Sequence, residues 1–148
     1  MKKRDIDICV ISDVHIGSYG CHAEELNNYL KSINPKMLIL NGDIFDAWNF
    51  SNRNFKTEHI KLIRTFLKFI KDGKDVYYIS GNHDEFMRNF DEMSMLNLHK
   101  LDKLVLTIDG KNYWFFHGDV FDISMQGGVG KLLAKVGGQA YDLSLIHI

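Results

Sequence analysis

Ile6-Asp-Ile-Cys-Val-Ile-Ser-Asp-Val-His15 is the stretch that decides the fold. Ile6 to Ser12 reads as a strand, and it runs straight into a carboxylate and an imidazole one residue apart. The same grammar recurs three times. Met37 to Leu40 is a short apolar run, as expected of a strand covered on both faces, and Gly42-Asp43 follows it. Asp75 to Ser80 leads into Gly81-Asn82-His83-Asp84, and Asn112 to Phe116 leads into His117-Gly118-Asp119. Helical patterns separate the first three strands. Glu24 to Ile33 places Leu26, Leu30 and Ile33 on one face, closed by Pro35. Thr57 to Lys71 places Ile60, Ile63, Leu67 and Ile70 on one stripe, closed by Asp72-Gly73.

Working outward, Gly42 to Lys56 is a long polar and aromatic loop, and the tail from Gln126 is rich in glycine. Leu104 to Ile108 and Asn112 to Phe116 flank Asp109-Gly110-Lys111, a hairpin signal. Strand, helix, strand, helix, strand and hairpin argue an α/β fold with a mixed sheet. No repeat or low-complexity linker interrupts it.

Bulk properties narrow the function. The 148 residues suit one domain, and 45% hydrophobic content supplies a core. Eighteen Lys and Arg against 19 Asp and Glu leave no basic excess for a nucleic-acid footprint. No apolar run approaches the roughly 20 residues that span a bilayer, and the N-terminus lacks the pattern of a signal peptide. These features predict a cytoplasmic protein. Cys9 and Cys21, without CxxC spacing, make neither a disulfide framework nor a zinc knuckle, and Cys9 reads as a small buried hydrophobe. Lys61, Arg64, Lys68 and Lys71 form a basic stripe on the Thr57 helix; a solvated face is the plain reading, contact with an anionic membrane or substrate the sharper one.

The polar clusters share one placement. Ligands of open α/β sheets bind beyond the carboxyl ends of the strands, so four loops leaving four strand ends can converge. Carboxylate, imidazole and amide oxygen suit two divalent ions. If Asp13-x-His15 stays extended, its two side chains point the same way and reach one ion. Gly42, Gly81 and Gly118 leave room for backbone to approach the metals or a phosphate. Taken singly, Asp-x-His and Gly-Asp are commonplace surface or turn features; four clusters in this order are not. His22, His59 and His99 have no ligand-spaced neighbours and read as surface or structural.

This set, D-x-H, G-D, G-N-H-D and a later His, resembles the calcineurin-like metallophosphoesterases over nearly the whole chain. The finer detail is similar to the UDP-2,3-diacylglucosamine diphosphatase (lipid A pathway) branch. The matching stretches are Ser12 to Leu26, Asn41 to Trp48, Gly81 to Phe90 and His117 to Asp122. The resemblance implies an αββα sandwich of mixed sheets with flanking helices, here truncated at the C-terminus. It implies that Asp13 and His15 bind one metal, that Asp43 bridges, and that Asn82 and His117 bind the second. His83 would sit beside the scissile phosphate, its ring held by a hydrogen bond to Asp84. The chain departs from the branch at one point: the lipid A enzymes carry Arg where His83 stands. Both can be cationic and donate to a phosphate oxygen.

The implied reaction is hydrolysis of a phosphodiester or pyrophosphate bond by two-metal-activated hydroxide. Manganese is the expected pair, with iron or zinc as alternatives. A nucleotide-lipid pyrophosphate is the expected substrate, with peripheral contact at the inner membrane face and no nucleic acid. A general phosphodiesterase or nuclease, or a non-catalytic scaffold, are the competing readings. The family pattern continues after His117 to a Gly-His-x-His motif, one His per metal. The only later histidine is His147, in Leu143-Ser-Leu-Ile-His-Ile148. That ending is similar to a translated transposase adapter. Residues 1–142 are therefore expected to be the N-terminal part of one domain, 143–148 a non-native tail, and the chain itself inactive beside its intact parent.

Overall fold

The computed structural model describes residues 2–49, 51 and 53–121. The chain runs through β1 (Arg4–Ile11), α1 (Ala23–Ser32), β2 (Ile33–Asn41), α2 (Thr57–Lys71) and β3 (Asp75–Ile79). It continues through β4 (Met93–Met95), β5 (Leu98–Leu101), β6 (Leu104–Ile108) and β7 (Lys111–Phe115). One sheet has the order β1-β2-β3-β5-β4; β6 and β7 form a separate two-stranded sheet. β1, β2, β3 and β5 are mutually parallel, whereas the edge strand β4 pairs antiparallel with β5. The fold is α/β with a mixed sheet, as the sequence predicts.

Alternation along the strands sorts the core into two layers. Leu38, Leu40, Val76 and Tyr78 face α1 and α2, where Leu30, Leu62, Phe66 and Phe69 bury. Ile39 and Ile79 face the other way and meet Leu104 of the β6–β7 hairpin, joined by Met37, Tyr77, Leu106 and Phe115. Two helices, a sheet and a hairpin supply three layers of the expected sandwich. The fourth, and the tail at 143–148, fall outside the described residues.

Several expectations need correction. Ile33 is not the last residue of α1. It is the first of β2, and the helix passes into the strand with no loop. Pro35 lies inside β2, paired with Ile6. Only one flank of β2 is engaged there, because pairing with β3 starts at Met37, so a residue without an N–H is tolerated. α2 keeps its predicted limits but turns a different face inward. His59, Leu62, Phe66 and Phe69 are buried, while Ile60 and Leu67 are 48% and 57% exposed. Apolar residues occur almost all round this helix, and the face carrying two phenylalanines buries more area. β4 and β5 were not predicted; their polar residues mask a strand pattern. The hairpin is as read, with a tighter turn. Asp109 and Gly110 have φ of 50° and 73°, the two positive values of a type I′ turn.

Candidate metal centre

Beyond their carboxyl ends β1 and β2 remain joined by loop pairing. The Asp13 N–H donates to the Gly42 carbonyl (3.1 Å), His15 N–H to Asp43 (2.9 Å) and Ile16 N–H to Ile44 (2.9 Å), and the Asp46 N–H returns to Ile16 (3.0 Å). Buried Val14, Ile16 and Ile44 anchor both loops in the core. Asp13, His15 and Asp43 nevertheless have φ of 55°, 52° and 54°. Asp13-x-His15 is therefore not extended, which corrects the strand argument used to align its side chains. Left-handed backbone at non-glycine residues costs on the order of 1–3 kcal/mol each and persists where surrounding structure enforces it, commonly at functional sites.

Asp43 is the centre of the arrangement. Its carboxylate is buried, and Oδ1 accepts the His83 N–H at 2.9 Å. Its other oxygen lies 3.9 Å from His15 Nε2 and 3.6 Å from His117 Nε2. Both distances exceed hydrogen-bond reach. They suit a shared cation, since two ligand atoms each about 2.1 Å from one ion sit roughly 3–4 Å apart. Two candidate ligand groups emerge: His15, Asp43 and His83, and Asp13, Asp43 and His117, with all ligand atoms in each within 4.8 Å of one another. Asp43 belongs to both. The grouping differs from the pairing of Asp13 with His15 that the resemblance implies. Asn82 is half-buried between Gly81 and His83, and its amide makes no hydrogen bond among the described residues.

Two glycines make this packing possible. A Cβ on Gly42 would sit 2.1 Å from the His117 ring, and one on Gly81 would sit 2.1 Å from Asp43 Oδ1. Both therefore clear space for protein ligands, not for metal or phosphate. Gly118 has open space around it and plays no such part.

Electrostatics fit a cation. Burial pushes the Asp43 carboxyl above its ordinary pKa, despite the His83 N–H and three nearby imidazoles that pull it down. Burial alone would lower the His15 pKa, but the neighbouring carboxylates of Asp46, Asp43 and Asp13 raise it. A buried carboxylate that favours its proton, facing imidazole nitrogens it cannot reach, is a donor set that divalent ions would satisfy.

The imidazoles are oriented from behind. His83 Nδ1 donates to Asp46 Oδ1 at 3.1 Å, and His15 Nδ1 lies 3.7 Å from Asp46 Oδ2. His117 Nδ1 donates to the Asn41 carbonyl at 3.4 Å, while the Asn41 amide donates to the Phe116 carbonyl at 3.3 Å. Each bond through Nδ1 leaves Nε2 for the site. Asp46 is only 2% exposed and also accepts from the Trp48 and Asn49 N–H groups. Burial would raise its pKa, but nearby His15 and the hydrogen bonds from His83 and Asn49 hold it well below the usual carboxylate range. The Trp48 ring stacks at a tilt on His83, 4.3 Å between centroids.

Asp84 does not hold the His83 ring. It is wholly buried and accepts from the Tyr78 hydroxyl, the Gly81 N–H (2.5 Å) and the Ile44 N–H (3.1 Å). It ties the turn after β3 to the loop after β2. Sequence reasoning missed Asp46, Asn41 and Trp48 as individuals, although all three lie in the quoted stretch Asn41 to Trp48. The available signal was a second Asp three residues after Asp43. Asp119 is also placed: its carboxylate takes the Arg88 guanidinium at 2.6 Å. His22 is exposed, His59 buried and His99 stacked on Tyr77, all outside the two ligand groups.

A mixed sheet with candidate histidine and aspartate ligand groups converging beyond the carboxyl ends of its parallel strands fits a metal-dependent hydrolase of the phosphoesterase class. A sequence model of the calcineurin-like phosphoesterases matches residues 6–143, and the chain belongs to that family. A search of curated proteins finds no match to the chain.

Proposed function

We propose that the protein hydrolyses a phosphodiester or pyrophosphate bond at the Asp43 centre, with a nucleotide-lipid pyrophosphate of the UDP-2,3-diacylglucosamine kind as substrate. The observation that carries the reaction class is the single buried carboxylate of Asp43 shared by two ligand groups. Asp13, His15, Asp43, Asn82 and His117 would hold two divalent ions, manganese in our reading. Bound there, the ions would neutralise substrate charge, lower the pKa of water and align the attacking and leaving oxygens.

The chain's own residues do the rest. Asp46 accepts from His83 Nδ1 and fixes the orientation of the ring. His83 then turns its Nε2 edge toward the phosphate as the group placed to protonate the leaving oxygen; a positioned proton donor is typically worth about 10²–10⁴ in rate. The substrate rests on the resemblance of Ser12 to Leu26 and Gly81 to Phe90. His83, in place of the branch's arginine, favours a broader phosphodiesterase as the second reading.

For localisation, we propose peripheral contact with an anionic cytoplasmic membrane face through α1 and α2. Lys31, Lys61, Arg64, Lys68 and Lys71 ring a shallow hollow that contains exposed Leu67. A basic rim around an exposed apolar residue suits an anionic interface.

Chelation should abolish hydrolysis of bis(p-nitrophenyl) phosphate by the purified protein, and manganese should restore it. Activity that survives complete metal removal sinks the two-metal reading. Cleavage of simple diesters but not of UDP-diacylglucosamine selects the broader reading.

A further inference from the structure

The hairpin that leads into His117 is not part of the main sheet. β6 and β7 form their own two-stranded sheet, whereas Asn82 follows β3 of the five-stranded one. Among the described residues no strand ladder fixes the loop after β7 against the turn after β3. Packing of Leu104 and Phe115 with Ile39 and Ile79 seats the hairpin. Apolar burial is non-directional, however, and does not by itself aim a ligand atom.

Two polar ties reach the loop from the strand ends. One starts beside the Asp43 loop. Asn41 donates its amide to the Phe116 carbonyl at 3.3 Å, and its own carbonyl accepts from His117 Nδ1 at 3.4 Å. The other starts beside Asn82. Arg88 lies in the 3-10 turn Glu85–Asn89, which follows directly on His83 and Asp84. Its Nη2 donates to the Ser80 carbonyl at 3.1 Å, just before Gly81-Asn82, and to Asp119 Oδ2 at 2.6 Å, just after His117-Gly118. One nitrogen thus joins the two loops.

Burial sets this pair apart from an ordinary surface ion pair, which contributes little. The Asp119 side chain is 6% exposed against 36% for Arg88. Asp119 Oδ1 is buried with no hydrogen-bond partner among the described residues. A carboxylate so placed is costly without its cation, so the contact is held rather than transient. The guanidinium is held in turn by the Ser80 carbonyl, so backbone sets its aim.

We propose that Arg88 and Asp119 are positioning residues for the ion that His117 would hold. Their ion pair sets the loop after β7 against the turn after β3, and with it the His117 imidazole relative to Asn82 and Asp43. Asp119 belongs to neither candidate ligand group, and His15 and His117 fall in different groups, so the pair bears on one ion and not the other. This deepens the proposed function and rests on its two-ion centre.

Manganese titration of the 148-residue protein reads the two dissociation constants for wild type, Arg88→Ala, Arg88→Lys, Asp119→Ala and the double alanine variant. Arg88→Ala should raise one constant by about 10–100-fold, the usual cost of losing a partner behind a metal ligand, and leave the other within about twofold. The double variant should lose no more than Arg88→Ala, because the two side chains form one contact. Arg88→Lys should recover part of the loss, since an ammonium keeps the charge but not the fork. A merely structural role would shift both constants alike or neither. Either result overturns the proposal, as does a double variant whose losses multiply. A second readout needs no metal. In metal-free protein Arg88→Ala should speed amide hydrogen exchange at 116–119 several-fold, while 43–46 stay as protected as in wild type. Unchanged exchange at 116–119 overturns the positioning role even where the metal constants move. Wild-type protein that binds a single ion, with faster exchange at 116–119 in Arg88→Ala, overturns the two-ion reading instead and supports the tie between the loops.

Discussion

Two loops end side by side, and each carries a buried aspartate three residues into its motif. After β2, Asp46 accepts hydrogen bonds from site histidine and loop N–H groups. After β3, Asp84 accepts only from a tyrosine hydroxyl and backbone. They are similarly hidden, at 2% and 0% exposure. One tunes the reacting face; the other holds the scaffold. Adjacency in sequence pointed the wrong way, because Asp84 follows His83 directly yet turns its carboxylate back toward Gly81 and Tyr78. Burial of a carboxylate does not disclose its role; the identity of its donors does.

Substitutions can break this comparison, and the largest effect lies at the residue both loops serve. Asp43→Asn should release the metals and abolish hydrolysis. The metal-free variant should be no less stable than metal-free wild type, because burial already opposes the Asp43 charge while Asn Oδ1 can still accept the His83 N–H. Metal content and thermal melts together check this; a metal-free variant that melts well below wild type contradicts it.

Next comes His83→Ala, expected to lower kcat by about 10²–10⁴ with metal loss smaller than for Asp43→Asn. His83 also belongs to one ligand group, so metal content is the deciding measurement. Loss of both ions would make it primarily a ligand.

The two aspartates should then separate cleanly. Asp84→Ala leaves Tyr78, Gly81 and Ile44 without their acceptor and should cost about 2–4 kcal/mol of stability, read from denaturant unfolding. Asp46→Asn should lower kcat by about 10–100-fold, the usual effect of losing a partner behind a site histidine, with a smaller stability change. Swapped outcomes would return the orienting role to Asp84.

A pH series sharpens the point further. The raised His15 pKa stabilises metal-free protein below about pH 6.5, and that contribution fades as pH rises through the folded value. Metal needs the neutral ring, so the rise in melting temperature on adding manganese should grow from pH 6 to pH 8. A flat response removes His15 from the ligand set. The smallest effect belongs to the basic face. Lys68→Glu with Lys71→Glu should weaken sedimentation with phosphatidylglycerol vesicles several-fold, at roughly 1 kcal/mol per cation, with hydrolysis unchanged. Equal binding to neutral phosphatidylcholine vesicles would refute an electrostatic contact.

The sequence by itself determined the order from β1 to β3, the later β6–β7 hairpin and the four strand ends that carry the chemistry. Short-range patterns specify those: apolar runs, helical spacing and Asp109-Gly110 at a turn. Through the resemblance it also offered Asp43 as a shared ligand, and Asp43 stands in both candidate groups. Tertiary structure decided what depends on competition between distant groups. It chose which of two apolar stripes of α2 faces inward, because burial of Phe66 and Phe69 outweighs that of Ile60 and Leu67. It placed β5 beside β3, where pairing energy rather than composition makes the strand. It gave the His83 ring to Asp46 across 37 positions of chain rather than to its neighbour. A hydrogen bond selects the acceptor that geometry presents to the donor, and only the folded chain fixes that geometry.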